Sequence, residues 1–302
     1  MGKNEKVLQN KDIVIIVMGP TGAGKSTFIN SVLQREFMTV GKTQDSCTSE
    51  IQSASISPIP GFPDLKDRRI IIVDTPGFDD TYKSDREILE KIAKWLEGFY
   101  KDGRAILGGV IYVHDLSNDR FGGGVRRNLE VFRKMCGNKA LGKVVITTTK
   151  GRKLSMLKHP NNSSLAHERR RELTDGHWRD LVKNGASVRD FRDTHDSAWA
   201  IVDSILSRLR LTNLIDIYMQ IQKELVDEGK GIPETEAGKE LRNTLKDALK
   251  MQGQLETASA ADGNEAALQE AENTIERLLS QIHELKIPFS LKMKRLFGFR
   301  NR

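Results

Sequence analysis

Cysteine is nearly missing from this 302-residue chain: Cys47 and Cys136 are far apart and belong to no CxxC or His/Cys cluster. Neither a disulfide framework nor a zinc site is implied, and reduced thiols of a cytosolic protein fit better. No stretch approaches the run of about 18 apolar residues that a membrane-spanning helix needs. The start, MGKNEKVLQNKD, lacks the apolar core of a secretory signal. Gly2 invites comparison with a myristoylation signal, but Lys6 stands where that signal wants Ser or Thr. A cytoplasmic location is the expectation.

A general nucleic-acid footprint is also lacking. The formal charge is +7, yet the segment from Lys286 onward holds six cations and no acid, which leaves +1 for everything before it. The basic character thus belongs to the C-terminal tip rather than to a folded face, so nucleic acid is not an expected partner. In KIPFSLKMKRLFGFR the cations mingle with Phe289, Leu291, Met293, Phe297 and Phe299. Such a tip suits either peripheral contact with an anionic membrane surface or docking on the protein itself.

What is present is an alternation. From Asp12 to Leu211, β-branched runs such as DIVIIVM, RIIIVD, GGVIYVHD and KVVITTT are separated by helical patterns. Continuous apolar strands are expected where helices cover both sheet faces, so the fold class is α/β, three layers with a mainly parallel sheet. In SDREILEKIAKWLEGF one helical face carries Ile88, Leu89, Ile92, Ala93, Leu96 and Phe99, and Ser84 with Glu87 are spaced as a capping box. DSAWAIVDSILSRL predicts the last helix of the domain. The resulting division is a tail over 1–11, an α/β domain over 12–211 and an α-helical extension over 212–302. Helices are expected at Leu214 to Asp227 and Thr235 to Leu255. A third has Leu268, Ala271, Ile275, Leu278, Ile282 and Leu285 at 3-4 spacing, a short heptad seam that suits an intramolecular hairpin or a second subunit.

The most specific motif is GPTGAGKST, Gly19 to Thr27, which matches G-x-x-x-x-G-K-S/T between a predicted strand and a helix. Its glycines let successive N–H groups of Gly19, Thr21, Gly22, Ala23, Gly24 and Thr27 line an anion nest at a helix N-terminus. Lys25 is expected to reach the β- and γ-phosphates, and the Ser26 hydroxyl to ligate magnesium. A ligand-free glycine turn is the competing reading, but Lys25 and Ser26 standing in register argue against it. In RRIIIVDTPGFDD, Asp74 ends a strand and can hold the metal through a water, and Gly77 can donate its N–H to the γ-phosphate. TQDSCTSEIQ offers Thr43 and Thr48 for the hydroxyl that meets magnesium on a mobile loop; Thr48, just before a predicted strand, is preferred. Lys25, Thr48 and Gly77 are thus the expected catalytic set, with Ser26, Thr48 and Asp74 the metal set.

With these motifs in place, the chain resembles the septin-like, AIG1-like branch of translation-factor-class GTPases, and within it a group of G-domain proteins abundant in fungi. The likeness is carried by SCTSEIQ, by GGVIYVHDLSNDRFGGGVRRNLEVFRKMCG, by GASVRDFRDTHDSAWAIVDSIL and by IQKELVDE followed by ETEAG, spanning Asp12 to Gly238. The resemblance implies a Ras-like fold, magnesium, and GTP or GDP as the ligand.

One element of that pattern is missing. Guanine is usually read by N/T-K-x-D, whose carboxylate accepts from the base, but the aligned residues here are Thr149, Lys150, Gly151 and Arg152. Arginine has donors only and cannot replace the acid. The resemblance assigns base contacts to Thr149, Lys150 and the NGAS loop, with the Ala186 N–H donating to guanine O6. Relaxed base selection is the alternative. Phe78 follows the D-x-x-G glycine where many small GTPases carry a water-orienting Gln, so hydrolysis is expected to be slow unless Asp79, Asp80, a backbone group or a partner subunit completes the site. Two functions remain open: a switch or assembly module, and a scaffold whose nucleotide only stabilises a homodimer through the nucleotide domain or the extension. A small-molecule phosphotransferase is a third, disfavoured by the lack of an Arg-rich lid.

His114, beyond a strand end, reads as a packed residue outside the site. HERRRE, His167 to Glu172, reads as a solvated helix face, with a role in a subunit contact as the sharper possibility.

Overall fold

The computed structural model describes residues 12–37, 50–78, 84–117, 121–156, 162–211, 216–261 and 264–286. Its centre is a six-stranded sheet of β1 (Ile13–Met18), β2 (Gln52–Ile56), β3 (Ile70–Asp74), β4 (Ile106–Asp115), β5 (Val144–Thr149) and β6 (Ser187–Asp190). The spatial order is β2-β3-β1-β4-β5-β6, with β2 antiparallel to β3 and every other neighbouring pair parallel. Parallel strands need crossover helices, and these cover both faces of the sheet.

Alternation along β1 assigns those faces. Val14, Ile16 and Met18 enter one core with α2 (Asp85–Asp102) and α3 (Gly123–Ala140). Ile13, Ile15 and Val17 enter the other with α1 (Lys25–Leu33) and α7 (His195–Leu211). Every β1 residue is buried, as the unbroken apolar run requires. The expected apolar stripe of α2 is buried along its length, and Ser84 and Glu87 form a complete capping box. Two further helices, α4 (Gly151–Met156) and α5 (Asn162–Asp175), follow β5, and α6 (Arg179–Lys183) precedes β6.

Beyond α7 the chain crosses to the other side of the sheet, which shortens the first extension helix. It runs only as α8 (Gln220–Val226), because Met219 is extended and fully buried, its N–H donating to Gln222 Oε1 at 2.9 Å. Next, α9 (Glu236–Ala261) continues six residues past Leu255 through alanines that favour helix. It packs against α10 (Glu265–Glu284) as a hairpin, so the heptad seam closes within the chain. Leu241, Leu245, Ile282 and Leu285, near the root of the hairpin, are buried in the same core as α2 and α3. Among the described residues no helix is long and apolar enough to cross a membrane. The basic tip from Ile287 to Arg302 lies outside the described residues.

Candidate functional site

The C-terminal ends of β1 and β3 bring the two phosphate motifs together. Gly19 leaves β1 at φ 143, and a Cβ there would stand 2.4 Å from the Val113 carbonyl oxygen, so only glycine lets the loop pass over β4. Gly22 at φ 73 and Gly24 at φ 96 continue the curl, a conformation that L side chains resist. Gly24 is the N-cap of α1 and offers no side chain to its first-turn amides, nor is there an acid in that turn. Those N–H groups and the positive end of the helix dipole are presented to an anion instead.

Lys25 is only 7% exposed, and its ammonium folds back on the loop: Nζ donates to Gly19 O at 3.1 Å and Pro20 O at 3.0 Å. Beside it, Ser26 Oγ donates to Asp74 Oδ2 at 2.8 Å. Asp74 is fully buried at the end of β3. A hydroxyl in the first turn of α1 and a carboxylate at the end of β3 are hard oxygen donors of the kind magnesium takes, with phosphate oxygens and waters completing an octahedron. Among the described residues no group of three or more His, Cys, Asp or Glu is placed to hold a metal by itself. The Ser26 hydroxyl and the Asp74 carboxylate fit a magnesium ion whose remaining ligands are phosphate oxygens and waters.

The D-x-x-G loop is sewn to the P-loop. Thr21 N donates to Phe78 O at 2.9 Å, and Thr75 Oγ1 donates to Val17 O at 2.9 Å. A Cβ on Gly77 would lie 2.5 Å from Thr21 N, so glycine is required by the contact itself. Phe78 turns its ring into the core on the α2–α3 side. Thr43, Thr48, Asp79 and Asp80 lie outside the described residues.

At the end of β5 the expected base contacts take a different form. Thr149 Oγ1 donates to Ala23 O at 2.7 Å, tying β5 to the P-loop rather than facing a base. Lys150 sits at φ 57, rare for a residue with a Cβ, and its Nζ donates to Gly22 O at 2.8 Å and Asp115 Oδ2 at 2.7 Å. Its stem is thereby held across the exit of β5. Asp115 is a site residue that sequence reasoning misses; its one signal is its position as the last residue of a buried strand.

Ala186 is a correction. Its N–H donates to Leu181 O at 3.0 Å, closing the turn after α6, so it has no proton to offer guanine O6. It also precedes β6, which pairs in parallel with β5 from Val145↔Ser187 to Thr148↔Asp190. It therefore lies at the opposite end of the sheet from the P-loop. The residues that leave β6 on the ligand side are Phe191 and Arg192.

The HERRRE face is not simply solvated. Arg169 Nη1 donates to Leu116 O at 2.9 Å and Arg170 Nη1 to Asp190 Oδ2 at 2.7 Å. His114 is packed edge-on against Trp178, and burial pushes its imidazole down to about 4.

A strand, a P-loop and a helix joined to a D-x-x-G loop over a mainly parallel sheet define the class: a Ras-like P-loop G domain. The profile of the AIG1 family matches residues 13–170, just over half of the chain, and the protein belongs to that family. A stretch of 89 residues is 30% identical to Cell division control protein 11 of Encephalitozoon cuniculi (strain GB-M1), covering 30% of each chain. Toc33 of Arabidopsis thaliana, solved with magnesium and GMPPNP, superposes with a TM-score of 0.51 at 16% identity over 67% of this chain and 86% of that one. A structure of the chloroplast translocon components atToc33 and psToc159, whose dimerization is described as important for GTPase activity, gives 0.54 at 16% identity over 69% and 87%. At such identities the likeness to Toc33 is one of fold.

Proposed function

We propose that this AIG1-family protein is a magnesium-dependent guanine-nucleotide-binding protein with slow GTP hydrolysis, used as a switch or assembly module in the cytoplasm. The observation that carries the reading is the 2.8 Å Ser26–Asp74 contact at the mouth of an uncapped helix N-terminus. It puts metal-binding oxygens beside a phosphate nest, and Gly77 abuts the same loop. The amides of the P-loop hold phosphate oxygens, Lys25 exchanges its two loop carbonyls for the β- and γ-phosphates, and Ser26 and Asp74 hold the metal. Magnesium, when bound, would neutralise charge on the phosphate oxygens. Guanine as the base is supported by the family and by the G domains of Toc33 crystallised with GMPPNP or GDP. The motifs shared with G-domain proteins abundant in fungi favour membership of that group.

Binding of fluorescent guanine and adenine nucleotides, with and without magnesium, tests this for the wild type and Lys25→Ala. Preference for adenine, or binding that ignores Lys25, would overturn it.

Phe78 favours a second reading, a nucleotide-stabilised scaffold with negligible turnover. Its side chain is in the core, leaving no group at that position to orient water. Homodimerisation through the G domain or the extension then serves assembly, and dimerization is described for the structural neighbour atToc33. Size-exclusion runs with GTP analogue, GDP or no nucleotide separate the readings: dissociation on hydrolysis supports the switch, and an oligomer indifferent to hydrolysis supports the scaffold.

A further inference from the structure

The carboxylate absent from position 152 has a stand-in one strand away. We propose that Asp190, at the end of β6, is the acceptor that reads the guanine N1–H and exocyclic amine; this rests on the guanine reading above.

Between the exits of β5 and β6 lies a cleft of 330 Å³ lined in part by Thr148, Gly151, Arg152, Arg170, Asp190 and Phe191. That volume falls in the range of small-molecule sites, about 300–1,000 Å³. It opens at the same sheet end as the P-loop, to which β5 is tied by the Thr149–Ala23 and Lys150–Gly22 hydrogen bonds. From β1 to β6 there are three strand spacings, about 14 Å in all. This is comparable with the reach of an extended nucleoside diphosphate, so phosphates in the P-loop and a base in this cleft are compatible.

Asp190 is the only carboxylate among the described residues lining this cleft. Its Oδ1 accepts from Thr148 Oγ1 at 2.6 Å and its Oδ2 from Arg170 Nη1 at 2.7 Å. A carboxylate offers about four lone-pair sites, so two such bonds orient it without exhausting it. Its side chain is 31% exposed, enough to meet a ligand. Burial favours the neutral acid, but the Thr148 hydroxyl and the Arg170 guanidinium outweigh it and hold the group below the usual carboxylate range. Asp115, the other acid nearby, is 9% exposed; its Oδ1 takes the Ser117 N–H and hydroxyl and its Oδ2 takes Lys150.

The chemistry of the pair matches one base. Guanine presents an O6 acceptor beside two N–H donors, the complement of a cationic fork next to a carboxylate. Adenine presents an acceptor at N1, which would face the Asp190 lone pairs and be repelled.

The test uses the full chain with magnesium and labelled GDP, inosine diphosphate and xanthosine diphosphate. Inosine lacks the exocyclic amine, so the wild type should bind it roughly tenfold or more weakly than GDP; equal affinities overturn the proposal without any variant. Asp190→Asn should weaken GDP roughly 10- to 100-fold. It should also gain affinity for xanthosine diphosphate, whose C2 carbonyl can accept from the new amide. That gain is not expected of a merely structural role. Unchanged GDP binding by Asp190→Asn, or equal loss of GDP and xanthosine diphosphate, refutes it. A wild type that binds no guanine nucleotide removes the proposed function itself and this inference with it. A wild type that binds GDP with an indifferent Asp190→Asn removes only the inference.

Discussion

Replacing Gly77 by alanine should uncouple the two phosphate loops. The added methyl would stand 2.5 Å from both the amide nitrogen and the hydroxyl oxygen of Thr21, against the 3.4 Å at which ordinary contact begins. The amide is backbone and cannot swing away, so the loops must part by about 0.9 Å, the difference between those distances. The Thr21 N–Phe78 O bond, now 2.9 Å, would be stretched beyond hydrogen-bonding range. Overpacking costs about 1–3 kcal/mol and the lost bond about 1 kcal/mol, so Gly77→Ala should destabilise by about 2–4 kcal/mol. At about 2–4 °C per kcal/mol, thermal unfolding should fall by about 5–15 °C. A GTP analogue should lose more affinity than GDP, because the displaced Gly77 N–H is the one expected to donate to the γ-phosphate. Gly103→Ala is the control: Gly103 sits at φ 65 with nothing within 4 Å of the point an added methyl would occupy, so the change should cost about 1–2 kcal/mol and leave both affinities unchanged. A Gly77→Ala protein with wild-type melting and unaltered discrimination between GTP analogue and GDP would refute the reasoning.

Three further outcomes follow from the same geometry. Ser26→Ala should lower stability by about 1–3 kcal/mol, because it strips a hydrogen bond from the buried Asp74 carboxylate, and should reduce the magnesium-dependent gain in nucleotide affinity roughly 10- to 100-fold, read by titrations with and without the metal. Phe78→Gln should lower stability by about 3 kcal/mol or more, because it empties a core position and buries an amide. It should not raise phosphate release, since the new side chain points away from the nucleotide. Burial holds His114 at about 4 in the fold against about 6.5 unfolded. Below pH 6.5 the unfolded chain therefore takes up a proton that the folded one refuses, so stability falls as pH drops from about 6.5 to 4 and levels off beneath, by up to about 3 kcal/mol. Denaturant melts across that range should show a flatter profile for His114→Phe.

The phosphate half of the site is legible in the sequence because its chemistry is local. Gly19 to Ser26 are consecutive, and their spacing alone specifies a curl ending in a helix. Asp74 is legible because the strand it ends runs straight into T-P-G about 50 residues after the P-loop, whereas Asp115 ends an equally apolar strand with no such motif beside it. The base half depends on strand direction and register, which sequence carries weakly. NGAS resembles a recognition loop, yet it enters β6 rather than leaving it, and ligands of parallel sheets gather beyond the carboxyl ends of strands. By that rule Ser187–Asp190 points to Phe191 and Arg192 instead of Ala186. The Lys150–Asp115 pair is hidden for a similar reason, since it joins neighbouring strands 35 positions apart. The crossover after α7 also leaves no periodic signal, which is why periodicity alone makes α8 longer than it is.

The hairpin of α9 and α10 has its root in the core that holds Ile88, Leu89 and Ile92 of α2, and Arg86 of α2 bonds Glu284 of α10. Because its root packs against α2, any tilt of α2 would be carried into the hairpin. The part of α9 beyond Leu245, running to Ala261, is about 24 Å long, so a tilt of about 10° at the root would sweep the far end through about 4 Å. A displacement too small to matter at the phosphates would be amplified into one that a partner could feel, and paired labels at Arg171 and Glu256 would read the swing.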